Sequence, residues 1–475
     1  MKNKKLEMAL NGPIIKTILT MAIPILIANL LQSAYQLTDA FWVGRLGKEA
    51  VAAVSISFPI TFFMISVGSG FSIAGTTLIS QYFGAKNMKM VDKVAAQTIL
   101  MVFCISIFLG IIGYIFAGYI LMLMGVEKEV FGEALSFLKI SFIGMIFVFL
   151  FAMFQSLMRG LGEVKIPLKI VLFTVLLNFI IDPLFIFGYG FFPGLGVSGA
   201  AWATLVTQAL ASIAGFYILL KGKYGIHIKI SDFKPDLSYI KKAFFLGLPS
   251  SIEMSARSLS MIVMTFLVTS FGTVAIASYG AGGNVFQLVI ILSMGISMAS
   301  SILVGQNIGA KNVDRAEKII KVSIFMSFLF LSFIGIIVFL FAKQLIGFFV
   351  PNEKEIIEMG ATFLRTIALS FGFIGIQMGI IWAFRASGNM LTSLNLTLVS
   401  QWLFQFPLGY ILSKHTSLGI DGIWYSIFIT NFLMIFVCLG VFFRGTWKKT
   451  NIIDDDYKTS EKIYEEVIIE EGIKN

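Results

Sequence analysis

Charge is scarce in this chain: only 13% of its 475 residues are Asp, Glu, Lys or Arg, about half the ~25% of an ordinary soluble domain. With 57% of residues hydrophobic, that scarcity excludes a soluble enzyme. Cysteine is nearly absent; Cys104 and Cys438 lie far apart inside apolar segments, which excludes a disulfide framework and gives no metal-ligand spacing. Only two histidines occur, His227 and His415, in predicted loops on opposite sides. Ser198 in the protease-like Gly196-Val197-Ser198-Gly199 therefore has no base, and the motif reads as a Gly-rich helix entry. Neither a Gly-x-x-x-x-Gly-Lys-Ser/Thr phosphate loop nor His-Glu-x-x-His occurs. The chain is expected to be no enzyme and to need no cofactor, and any uphill work must draw on an ion gradient.

What is present is apolar sequence in long runs, such as 99–120 and 323–342. Barrel strands alternate apolar and polar residues over ~10 positions, so these runs are helical. Each spanning helix takes ~20 residues. The spacing predicts helices over 14–42, 50–80, 93–122, 131–156, 166–188, 196–221, 243–271, 274–306, 316–345, 356–386, 391–413 and 419–443. The fold class is thus an all-α polytopic membrane protein of twelve transmembrane helices, and its 44 glycines suit close helix packing in lipid. The first apolar run carries Asn29, Gln32 and Gln36 with no small-residue cleavage site after it, so it reads as a retained helix.

The net charge of +10 joins two opposite parts: residues 451–475 carry eight acids against three lysines, leaving a strongly basic body. A nucleic-acid partner is not indicated, because the cations sit in short loops between apolar segments. With the N-terminus cytoplasmic, the inside segments, among them the loop of Arg385, hold 27 of the 36 Lys and Arg. That is the positive-inside pattern, and it predicts an inner-membrane protein with both termini in the cytoplasm.

Self-comparison at long period divides the chain. A shift of 225 residues lays Pro24 on Pro249, Gly47 on Gly272, and Gln81-Tyr82-Phe83-Gly84-Ala85-Lys86-Asn87 on Gln306-Asn307-Ile308-Gly309-Ala310-Lys311-Asn312, while a shift of 226 lays Arg159 and Gly162 on Arg385 and Gly388. Two parallel six-helix lobes follow: 1–221, a linker 222–242, 243–443, and a charged tail 444–475. Parallel repeats are related by an axis along the membrane normal, with substrate sites at the lobe interface.

Three carboxylates lie more than two residues inside the predicted spans: Asp39, Asp182 and Glu253. A charge at mid-bilayer costs ~2.5–3.5 kcal/mol or more, so such groups face interior cavities and carry ions or protons. Gln32, Tyr35, Gln36 and Asp39 form one polar stripe, and Thr174, Asn178 and Asp182 another. Facing stripes would surround a site of hard oxygen ligands for a small cation, or a carboxylate pair sharing a proton. The competing reading makes Asp39 interfacial beside Trp42 and Arg45, and Asp182 a turn former ahead of Pro183; it is weaker because both acids end stripes that run back into apolar helix. The repeat lays Met264 on Asp39 and Phe406 on Asp182, which concentrates ion chemistry in the N-lobe and gives Met264 to the substrate cleft. Glu253 and Arg257, four apart on one face, read as a structural ion pair. Pro24 and Pro249 each remove one backbone hydrogen bond and permit bending.

With these residues assembled, the sequence resembles the multidrug and toxic compound extrusion (MATE) family. The likeness rests on the two lobes, the repeated Gln-x-x-Gly-Ala-Lys-Asn, the run Met158-Arg159-Gly160-Leu161-Gly162-Glu163-Val164-Lys165-Ile166-Pro167, and Asn178 to Pro183 followed by Gly199-Ala200-Ala201-Trp202-Ala203-Thr204. The resemblance implies exchange of organic, mostly cationic, drugs for Na+ or H+ through a cleft open alternately to each side. It assigns cation coupling, with Na+ or a proton as occupant, to Asp39, Asn178, Asp182 and Thr204, and the cleft to Gln32, Tyr35, Gln36 and Gln155. The expected partners are small organic cations and the bilayer, with the chain a monomer. A lipid-linked oligosaccharide flippase of the same superfamily is the alternative, although a pyrophosphate headgroup would call for several cavity-facing cations and the predicted spans offer only Arg257. A scaffold or channel is weaker still.

Overall fold

The computed structural model describes residues 2–190, 192–351, 353–450 and 452–453. The N-lobe comprises α1 (Lys2–Asn11), α2 (Ile14–Val43), α3 (Lys48–Gly84), α4 (Met88–Leu123), α5 (Lys128–Gly160), α6 (Lys165–Phe187) and α7 (Val197–Lys221). Between α6 and α7 the strands β1 (Gly188–Tyr189) and β2 (Phe192–Pro193) pair antiparallel. The C-lobe comprises α8 (Leu237–Thr269), α9 (Thr273–Gly309), α10 (Val313–Leu340), α11 (Ala342–Phe349), α12 (Lys354–Ala368), α13 (Phe371–Ser387), α14 (Met390–Leu398), α15 (Phe406–Lys414), α16 (Ile420–Phe443) and α17 (Thr446–Lys449).

Among the described residues ten helices are long and apolar enough to cross a membrane, and α12 with α13, bent by 51°, makes an eleventh span. The twelfth runs from α14 to α15 through a π-helical stretch, Val399–Gln405. All twelve predicted spans are present. Their ends differ where polar residues extend a helix beyond its apolar run. Thus α8 starts at Leu237, where Asp236 accepts a capping bond from the Ser238 amide, and the linker shortens to 222–236. Conversely, α10 stops at Leu340 and the chain turns into the short α11. The charged tail from 454 onward lies outside the described residues.

The first helix of each repeat does not stay in its own lobe. The lower half of α2, with Ile18, Met21, Ala22 and Ile25, packs in one apolar cluster with Ile296, Ala299 and Leu303 of α9, while its upper residues Tyr35 and Val43 belong to the N-lobe core. Likewise Ala243 at the start of α8 sits in the N-lobe core, whereas Met264, Leu267 and Val268 lie in the C-lobe core. Pro24 and Pro249 stand near these changeovers, each within a continuous helix.

The lobes are sealed at the end that carries α1 and residues 452–453, here termed basal. The repeated motif makes this seal. A Cβ at Gly84 would stand 1.9 Å from the Gln306 carbonyl oxygen, and one at Gly309 1.9 Å from that of Gln81, so the ends of α3 and α9 touch backbone to backbone. The Gln81 amide donates to the Ala386 carbonyl at 2.8 Å and the Gln306 amide to the Gly160 carbonyl at 2.9 Å, a reciprocal pair across the pseudo-twofold axis. Lys86 and Lys311 then reverse the chain at φ 59°, a left-handed conformation that side chains take at a cost. Further up, Ser66 meets Ser258 at 3.0 Å. Beyond that contact Gln32 and Gln36 of α2, and Met261 and Thr265 of α8, are exposed.

The segments outside the bundle are fastened at the same end. The Gln97 amide of α4 donates to the Asp232 and Lys234 carbonyls at 2.6 and 2.8 Å, which pins the linker. Lys5 bonds Glu163, while Ile452 and Ile453 are buried in the N-lobe core with the Ile452 carbonyl accepting from Lys242 at 2.6 Å.

Candidate functional site

The two polar stripes do face each other. Asn178 Nδ2 donates to Asp182 Oδ1 at 2.8 Å, as four-residue spacing on α6 allows. From α7, Thr204 Oγ1 donates to Asp39 Oδ2 at 3.2 Å. The Asp39 and Asp182 carboxyls are neighbours that act on each other electrostatically. Asp182 and Asn178 are fully buried, and among the described residues Asp39 Oδ1, Asn178 Oδ1 and Asp182 Oδ2 are buried oxygens without a donor. Three helices thus bring two carboxylates, an amide and a hydroxyl together within the N-lobe. Unpaired acceptors left in low dielectric are expensive. A proton or a small hard cation would satisfy them.

The other expected positions divide. Gln32 and Gln36 are exposed and lie on the side of α2 opposite the lipid-facing Leu30, Leu37 and Phe41, as a helix period of about 3.6 residues requires. Tyr35, expected in the cleft, instead turns into the lobe, where its hydroxyl is 2.6 Å from that of Thr207. Gln155 is also buried, at 8% exposure. Met264 is 1% exposed in the C-lobe core and not on a cleft wall, because the side of α8 that repeats the Asp39 position packs inward there. Thr207 was missed, although Thr204 and Thr207 at i, i+3 make a polar face.

In the C-lobe the expected pair of Glu253 and Arg257 is present at 4.0 Å, but a second partner is closer: Glu253 is fully buried, and Arg385 Nη2 donates to it at 2.8 Å. Ser393 Oγ donates to Glu253 at 2.5 Å and Thr397 Oγ1 at 2.8 Å, whereas Arg257 Nη2 stands 4.0 Å away. Arg385, counted from sequence with the loop cations, is 4% exposed and stacks on Trp382 at 4.6 Å. The four-residue spacing of Ser393 and Thr397 was the available signal for this cluster.

Comparison with known proteins agrees with this architecture. The MatE family model matches residues 24–184 and 249–411, one match per lobe. The chain is 31% identical to the probable multidrug resistance protein YoeA of Bacillus subtilis over 437 residues, covering 90% of this chain and 93% of that one. It is 25% identical to a FAD transporter of Shewanella oneidensis, covering 90% of this chain and 94% of the relative. Among solved structures, a MOP superfamily transporter from Pyrococcus furiosus superposes with a TM-score of 0.87 at 26% identity, over 94% of this chain and 99% of that one. The chain belongs to the MATE family of multi-pass membrane transporters, which are transporters and not enzymes.

Proposed function

We propose that this protein exports organic, mostly cationic compounds across the cell membrane in exchange for Na+ or protons, working as a monomer without a resident cofactor and with both termini in the cytoplasm. The observation that carries the reading is the group of three donorless buried oxygens on Asp39, Asn178 and Asp182. The basal seal would then close the cytoplasmic side, leaving the cleft open to the outside. A cation entering from outside neutralises one of the two carboxylate charges and is shared between them. Because Asp39 sits on α2, whose lower half is packed against α9, neutralisation acts on a helix shared by both lobes, with Pro24 as the place for it to bend. Exchange requires that drug and cation favour different lobe arrangements, since a ligand with equal affinity for both shifts nothing. Bound drug must then weaken cation binding by the factor with which the cation weakens drug binding.

The test is efflux of a lipophilic cation from reconstituted vesicles under separately imposed Na+ and proton gradients. Asp39→Asn and Asp182→Asn, which keep shape and remove titratable charge, each reduce driven efflux to background while the proteins remain folded. Driven efflux retained in both variants refutes the assignment.

A further inference from the structure

The C-lobe cluster has two guanidinium groups and one carboxylate. Glu253 receives its short bonds from Arg385, Ser393 and Thr397, and at 4.0 Å Arg257 is too far to add a hydrogen bond. Arg257 carries five N–H donors, and none of the described residues accepts from it; its Nε is buried and unpartnered, as is Nε of Arg385. Among the described residues, the charged groups that act on Arg257 are Glu253 and Arg385. The cluster therefore holds one positive charge in excess, far from either end of α8, where an uncompensated cation costs about 3 kcal/mol or more.

That excess charge is only partly shielded: the Arg257 side chain keeps 29% exposure. On α8, Leu259 and Ile252 face lipid at 49% and 47% exposure. Arg257 lies about 200° around the helix from Leu259. On its own side stands Met261, which is 56% exposed although it faces away from lipid, and the adjoining Ser258 makes the uppermost serine contact between the lobes. Arg257 lies one turn below Met261, with the interior Arg385 behind it. A planar guanidinium with free donors matches the two oxygens of a carboxylate or phosphate.

We propose that Arg257, backed by Arg385, forms an anion subsite that takes the carboxylate or phosphate group of the transported compound. The substrates would then include zwitterionic and acidic organic molecules as well as plain cations. This inference rests on the reading of the cleft as the drug-binding space.

The experiment uses one rhodamine cation as its ethyl ester and as its free carboxylate, with binding to the purified full chain followed by fluorescence anisotropy at neutral pH. Wild type is expected to bind the free acid about tenfold more tightly than the ester, the size of one charge-assisted contact. Arg257→Gln brings the ratio to about one while ester binding persists, and Arg257→Lys, which keeps the charge but not the planar fork, gives an intermediate ratio. Inorganic phosphate competing selectively with the free acid extends the subsite to phosphate compounds. Binding of neither probe, equal binding of both in wild type, or an acid preference untouched in folded Arg257→Gln overturns the inference, the last making Arg257 only a counter-charge. Should Arg257→Gln fail to fold, the wild-type ratio and the Arg257→Lys ratio decide. Gradient-driven efflux of the ester is scored separately, so loss of coupling and loss of anion selectivity are distinct results.

Discussion

Replacing Arg385 by Met isolates the largest electrostatic commitment in the C-lobe. The Glu253 carboxylate is fully buried, and its contact to Arg385 is 2.8 Å. Removing the guanidinium leaves that carboxylate with the hydroxyls of Ser393 and Thr397 and with Arg257 at 4.0 Å. At an effective dielectric of about 20, a unit-charge pair near 4 Å is worth ~4 kcal/mol, and breaking a buried pair from one side costs ~3–5 kcal/mol. The stacking of Arg385 on Trp382 at 4.6 Å is lost as well, adding ~0.5–2 kcal/mol. Glu253→Gln costs at least as much: the amide oxygen still accepts from Ser393 and Thr397, but Arg385 and Arg257 both lose their counter-charge. The double variant should cost less than the two singles together, since neither charge is then left unpaired; a coupling of ~2 kcal/mol is expected. Equilibrium unfolding in mixed dodecylmaltoside and SDS micelles, followed by tryptophan fluorescence, gives the three stabilities. Additivity within ~0.5 kcal/mol, or a cost below ~1 kcal/mol for Arg385→Met, would refute the account of a desolvated ion pair.

Three further outcomes are expected. Gly309→Val places a side chain where a Cβ already stands 1.9 Å from the Gln81 carbonyl oxygen, so spin labels on α3 and α9 near the basal end should move apart in pulsed EPR; an unchanged distance would mean that the seal does not depend on this contact. Cysteines introduced at Lys229 and Lys354 should label from the cytoplasm and from outside respectively, and identical sidedness would overturn the orientation. The salt bridge from Lys93 to Asp236, 2.7 Å long and partly exposed, holds the Asp236 carboxyl below its ordinary value. A depressed carboxylate stabilises above its unfolded value of ~3.9 and loses that contribution as pH falls through the folded one. Acidification below pH ~4 should therefore release the 222–236 linker to proteolysis, and Lys93→Ala should shift that release toward higher pH; an unchanged profile would show that the bridge does not anchor the linker.

Local pattern determined a great deal. The twelve spans and the polar stripes of α2 and α6 are properties of residues near one another in sequence, and the two lobes are written as a repeat at a shift of 225 residues. Hydrophobic run length and three- and four-residue spacing report such properties directly. Only the tertiary structure decided which stripes meet, and it did so through contacts at long sequence separation. Thr204 reaches Asp39 across 165 residues, and Arg385 reaches Glu253 across 132. Arg385 was misplaced because a cation close to a helix end looks the same whether it faces water or a buried acid. Tyr35, Gln155 and Met264 turned inward for a related reason: a polar or repeat-matched position fixes a side of the helix, while packing decides whether that side meets a cleft or a core. The straddling of α2 and α8 was equally hidden, since an apolar stripe satisfied by its own lobe or by the opposite one is written with the same residues.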